Sequence, residues 1–194
     1  MGFAPLDSAR LLPPLLALAL GGLPHPASLR CAQWILLWGI SLVAPLALRL
    51  AGGPAGLQAL LIATSWLMLL GYLWQGTWLV AASLFWLAST MAMAGFALLR
   101  WRRRGHIAVA ETTLELGFVY APVGAVWALA YAWQQGLMGF DPLMTLLTGD
   151  HFLYVSLGAM PWAAQAGKAL GNPRVYRALA ALFWISPALV ATGI

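Results

Sequence analysis

The chain has 194 residues, of which 62% are hydrophobic and 8% charged, and its mean hydropathy is +0.84. That composition excludes an ordinary soluble globular domain and points to one all-α polytopic membrane domain over residues 1–194. A net charge of +5 could suggest nucleic acid in a soluble protein. In a membrane protein the positions of the charges matter more than their sum.

Arg10 precedes a short apolar run at 11–24, which reads as a first span or as the core of a signal peptide. A retained span is favoured, because MGFAPLDSAR is weakly basic and HPASLRCA offers a poor cleavage site; cleavage would leave six spans. Further spans are predicted at about 33–48, 57–74, 78–99 and 107–133. After the turn QQGLMGF, Asp141 can cap a sixth helix, with Pro142 in its first turn, that runs to about residue 167. A seventh covers about 175–191.

With seven spans, Arg10, Arg49, the Arg100 to Arg104 group, Lys168, Arg174 and Arg177 fall on one side, and Arg30 alone falls on the other. The positive-inside rule then places the N-terminus in the cytoplasm and Ile194 outside, with Trp34, Trp74, Trp78 and Trp133 as an outer aromatic belt. The arginine group reads as a topology determinant beside anionic headgroups, not as a nucleic-acid patch. No internal repeat supports a transporter built on inverted halves.

Ionisable groups inside a span are costly, by at least ~2.5 kcal/mol for a central Asp, so each is a site candidate. Glu111 and Glu115 share one face of the fifth predicted helix. Glu111 can simply face Arg102 to Arg104 at the membrane boundary. Glu115 lies deeper, where an unpaired carboxylate would hold its proton. On the sixth helix, Thr148 and His151 share one face and Asp150 and Tyr154 another, about 100° away. Asp150 and His151 therefore meet only if Gly149 loosens the helix, and Pro161 marks a second irregularity. Such a set can relay protons or donate to a ligand in a dry pocket; the bland alternative is hydrogen bonding between helices.

His25, His106 and His151 are too scattered for a metal site, and one intramembrane histidine does not make a two-histidine haem site. Lys168 lies at the inner end of the sixth helix, so the last helix has no amine for retinal. Nucleotide-binding loops are absent. No cofactor or metal is expected.

The run GFDPLMTLLTGDHFLY at 139–154 resembles a signature of the YndJ-like bacterial membrane proteins, FDPLIVLLTAVHFHYAGF. Phe140, Asp141, Pro142, Leu143, Leu146, Leu147, Thr148, His151, Phe152 and Tyr154 match, and YAPVGAVW at 120–127 is similar to a family segment. The resemblance extends over about 111–167. Leu153 stands where the family has a second histidine, Asp150 replaces an apolar residue, and Val155 and Ser156 replace Ala-Gly. The resemblance implies a multi-pass protein, favours Thr148, His151 and Tyr154 as a site, and supplies no reaction.

The expected architecture is a seven-span bundle in the bacterial cytoplasmic (inner) membrane. The expected site is a pocket between the fifth and sixth helices for a small apolar or amphipathic molecule. His151, Glu115 and Asp150 would be its acid/base groups; Thr148, Tyr154, Glu111, Trp127 and Trp162 would bind or line it. Membrane lipids are the other expected partners. A proton- or cation-coupled transporter and a structural subunit are the competing classes, distinguished by a polar track from Glu111 to Asp150 or by individually satisfied side chains.

Overall fold

The computed structural model describes residues 15, 27–171 and 174–191, and all regular structure among them is helical. Six helices follow one another. Helix α1 comprises Ala27–Trp38, a π-helical turn Gly39–Val43 and Ala44–Leu50. Then come α2 (Ala55–Trp74), α3 (Gly76–Arg104) and α4 (Val109–Ala132). Helix α5 likewise comprises Pro142–Leu153, a π segment Tyr154–Ala159 and Met160–Ala169, and α6 spans Arg174–Ala191. They correspond in order to the second to seventh predicted spans. The first predicted span lies, but for Leu15, outside the described residues, as does His25.

Among the described residues four helices are long and apolar enough to cross a bilayer: Ser28–Leu50, Ala55–Trp74, Gly76–Arg104 and Val109–Ala132. In hydrocarbon every backbone polar group must be satisfied within the chain, and helices do this segment by segment. Hydroxyls follow the same logic: those of Thr64, Ser65, Ser89, Thr113 and Thr145 bond the carbonyl four residues back.

Helices α1 to α5 close a ring, each packed on the next and α5 returning to α1, while α6 lies outside against α4 and α5. Trp86, Tyr72, Phe118, Leu36, Ile40, Met68 and Leu114 fill the interior. The chain ends up with Arg49, Arg100 to Arg104 and Lys168 at one end of the bundle, here the arginine end. The α2–α3 and α4–α5 turns form the opposite end.

Local chemistry explains the breaks. Gly105 adopts φ +70° after Arg104 and caps α3 through a bond to the Trp101 carbonyl, which starts the hairpin into α4. Asp141 caps α5 as expected, accepting from the Met144 amide at 2.9 Å, with Pro142 in the first turn. Both π segments precede a proline. Pro45 and Pro161 have no N–H, and each ring would crowd the carbonyl four residues back, at Ser41 and Leu157, which lie inside those segments.

Gly149 does not loosen its helix, which stays α-helical there. It is a contact point instead. A Cβ on Gly124 would come within 2.9 Å of the Gly149 carbonyl, and one on Gly117 within 2.3 Å of the Ser156 carbonyl. Helices α4 and α5 thus meet backbone to backbone, as small residues allow in membranes.

Candidate functional site

The ionisable residues resolve into two clusters. At the arginine end, Glu115 is 1% exposed and takes Arg104 Nη1 at 2.8 Å and Arg100 Nε at 3.6 Å on Oε1. Glu111 takes Arg100 Nη2 at 3.1 Å and Lys168 Nζ at 2.7 Å. Arg104 also donates to Thr112 Oγ1 and to the His106 carbonyl, and Arg100 donates to the Ala51 carbonyl. Glu115 is not left unpaired, and Glu111 makes the ion pair expected at this boundary, with Arg100 and Lys168 as its partners and Arg102 and Arg103 turned to the exterior. The reason is helical phase: Arg100 and Arg104 share the α3 face that the hairpin folds onto Glu111 and Glu115. The network ties α3, α4, α5 and the α1–α2 turn.

The second cluster lies toward the opposite end. Asp150 on α5 is 5% exposed, and neither carboxyl oxygen has a hydrogen-bond partner among the described residues. The phenols of Tyr72 on α2 and Tyr154 on α5 are within electrostatic reach of Asp150, and Tyr131 on α4 is within reach of Tyr72. Gln33 on α1 donates through Nε2 to the Tyr131 hydroxyl at 2.8 Å; its Oε1 is buried without a partner among the described residues, as is Nε1 of Trp34. The Tyr154 hydroxyl donates to the Ile35 carbonyl at 2.9 Å, fastening α5 to α1.

Tyr131 of this cluster also lines a cavity of about 350 Å³, with Leu29, Gln75, Leu79, Gln134 and Pro142 among others. A smaller one of about 110 Å³ shares Tyr131, Gln134 and Pro142 and adds Phe140 and Thr145. Tyr131 therefore joins the cavities to the buried polar groups. The rim is strained. Gln75, Gln134 and Met138, the non-glycine residues with left-handed φ among those described, all lie in the two turns at this end.

His151 and Glu115 do not share a pocket. His151 is exposed, edge-on to Phe152 at 5.9 Å, because it follows buried Asp150 and points about 100° away. The glycine contacts set Glu115 about eight residues of α5, or ~12 Å, from the level of Asp150. Leu114, Phe118, Leu153 and Leu157 fill the space between, each 0–1% exposed.

The other predicted residues are dispersed. Thr148 donates to the Met144 carbonyl of its own helix at 2.7 Å. Trp127 is buried and stacks on Phe140 at 5.6 Å, walling the turn before α5. Trp162 is 60% exposed on the outer face of α5, away from both clusters. Among the described residues no group of three or more His, Cys, Asp or Glu is placed to hold a metal.

Sequence reasoning missed Gln33, Tyr72, Tyr131 and Gln134. Each is uncharged, and a lone amide or phenol in a span carries no cost large enough to mark it. Only the convergence of four helices does so.

The family described as YndJ-like protein matches residues 34–194, which include Asp150, Tyr72, Tyr131 and the whole arginine-end network. The chain belongs to the YndJ-like family. A curated relative, the uncharacterized membrane protein YndJ of Bacillus subtilis (strain 168), is 32% identical over 114 residues. That stretch is 58% of this chain and 21% of the relative, so the chain spans about a fifth of the relative's length. No solved structure matches. Membership agrees with the apolar helices: this is a membrane protein.

Proposed function

We propose that this YndJ-like chain is an intramembrane binding module whose polar centre is Asp150. The pocket opens at the end formed by the α2–α3 and α4–α5 turns and takes a small amphipathic molecule. One observation carries the reading: both carboxyl oxygens of Asp150 are buried and unpartnered among the described residues. Buried polar atoms in folded proteins are almost always paired, so a carboxyl left open, in a cluster that Tyr131 links to the cavity, calls for a donor from outside the chain. The strained rim at Gln75 and Gln134 fits a functional opening. The apolar layer between Glu115 and Asp150 favours a closed-ended pocket over a continuous polar track, and the ion pairs at the arginine end, which engage Glu115 through Oε1 and leave its Oε2 without a hydrogen-bond partner among the described residues, serve as structural pins.

The same reading sets the bundle in a bacterial cytoplasmic membrane as seven spans, with the N-terminus inside and the Asp150 pocket facing outward. Its support is the collection of Arg49, Arg100 to Arg104, Lys168, Arg174 and Arg177 at one end, with Arg30 at the other. The deciding experiment is mass spectrometry of small molecules co-purifying with the wild type and with Asp150→Asn. A distinct amphiphile retained by the wild type and lost from the variant is expected; equal retention, or none in either, would overturn the proposal.

A further inference from the structure

We propose that the group received by Asp150 is a primary ammonium. This rests on the binding reading above and names the chemistry of the same site. Three of the four buried side-chain atoms of this cluster without a partner among the described residues are acceptors, Oδ1 and Oδ2 of Asp150 and Oε1 of Gln33, and the fourth is the donor Nε1 of Trp34. A ligand that completes the acceptors must bring donors. A primary ammonium brings three N–H donors on one compact centre, whereas an alcohol brings one and a quaternary ammonium none.

The walls agree. Tyr72 of α2 and Tyr154 of α5 lie within electrostatic reach of Asp150, with Tyr131 of α4 within reach of Tyr72, and aromatic rings attract cations, more so where water is excluded. A buried carboxyl with phenol rings nearby is a combination that recognises an organic cation. The cavity that Tyr131 lines is far larger than an ion needs, at about 350 Å³, and Leu29, Leu79, Ala132 and Pro142 give it an apolar lining for a carbon chain. An amine-bearing amphiphile uses both halves: nitrogen at Asp150, hydrocarbon toward Leu29 and Leu79. It could enter as a membrane lipid with an ethanolamine-type headgroup or as a soluble alkylamine from the open end, since the ammonium is common to both.

The test uses the full chain in dodecyl maltoside, with thermal unfolding followed by tryptophan fluorescence. Hexylamine, hexyltrimethylammonium, hexanol and hexyl sulfate are titrated in parallel, and phosphatidylethanolamine is compared with phosphatidylcholine in mixed micelles. Saturable stabilisation by hexylamine is expected, at least roughly tenfold weaker in Asp150→Asn and also weakened in Gln33→Leu, as loss of charge-assisted hydrogen bonds implies. Circular dichroism checks that both variants are folded; should Asp150→Asn fail to fold, Gln33→Leu decides alone. Preference for phosphatidylethanolamine would identify a lipid source, and a hexylamine response without it a soluble one. Equal stabilisation by hexanol or hexyltrimethylammonium would overturn the ammonium assignment while leaving an amphiphile pocket standing. The ammonium assignment alone also falls if none of these probes acts yet an Asp150-dependent molecule co-purifies. If no probe acts and nothing co-purifies, the binding reading falls as well.

Discussion

Replacing Arg104 by Gln isolates the main support of the arginine-end network. At an effective dielectric of about 20, the pair at 2.8 Å is worth roughly 6 kcal/mol of gross attraction and the Arg100 contact at 3.6 Å roughly 5. Breaking a buried pair usually costs about 3–5 kcal/mol, because it strands the remaining charge. Here Arg100 keeps part of the compensation for Glu115, so a loss of about 2–3 kcal/mol is expected for Arg104→Gln. The double variant Arg104→Gln/Glu115→Gln removes the stranded charge and should recover about 2 kcal/mol of that loss. Reversible unfolding in mixed micelles, titrated with SDS, measures the wild type, Arg104→Gln, Glu115→Gln and the double variant. A single-variant cost under about 0.5 kcal/mol, or a double variant at the sum of the two singles, would refute the view that this pair holds α3 to α4.

The partly exposed Lys168–Glu111 pair behaves differently: Lys168→Gln should cost no more than about 1 kcal/mol in the same titration. Gly117→Ala should destabilise by about 1–3 kcal/mol, since its Cβ would meet the Ser156 carbonyl at 2.3 Å. Gly95→Ala meets nothing within 4 Å and should be neutral or stabilising by up to about 1 kcal/mol, so equal effects at the two glycines would contradict the α4–α5 contact. Tyr131→Phe strips Gln33 of its buried acceptor and should cost about 1–3 kcal/mol in unfolding free energy. For topology, single cysteines at Gln134 and Arg102 in a Cys31→Ser background are exposed to a membrane-impermeant thiol reagent on intact cells. Labelling of the Gln134 position alone is expected, and the reverse pattern would invert the proposed orientation.

The helices were legible because hydropathy and breakers agree: Asp141-Pro142 and Gly105 mark their ends in the sequence as they do in the fold. The split between Asp150 and His151 was legible too, because one residue along a helix is a fixed rotation. The pairing of Arg100 and Arg104 with Glu115 and Glu111 could have been read by folding the sequence at Gly105. The sequence does set Glu111 against the arginine group, but which arginines face it depends on the phase of α3. The grouping of Gln33, Tyr72, Tyr131 and Asp150 was not legible, because it depends on which helices become neighbours in a ring. The π turns were foreshadowed only at Pro161; Pro45 acts in the same way but lies in a stretch that reads as uninterrupted span.

The glycine seam has a mechanical consequence. Where Gly117 and Gly124 let the α4 backbone touch α5, rotation or sliding drives carbonyls into one another, so the two helices must travel as a single stiff plank. Helices α1 and α2, which carry Gln33 and Tyr72, have no such backbone lock on that plank; α1 is fastened to it near this end through the hydroxyls of Tyr131 and Tyr154. Any opening wide enough to admit a guest to Asp150 should therefore come from α1 and α2 swinging away, with those two hydrogen bonds as the latch that releases first.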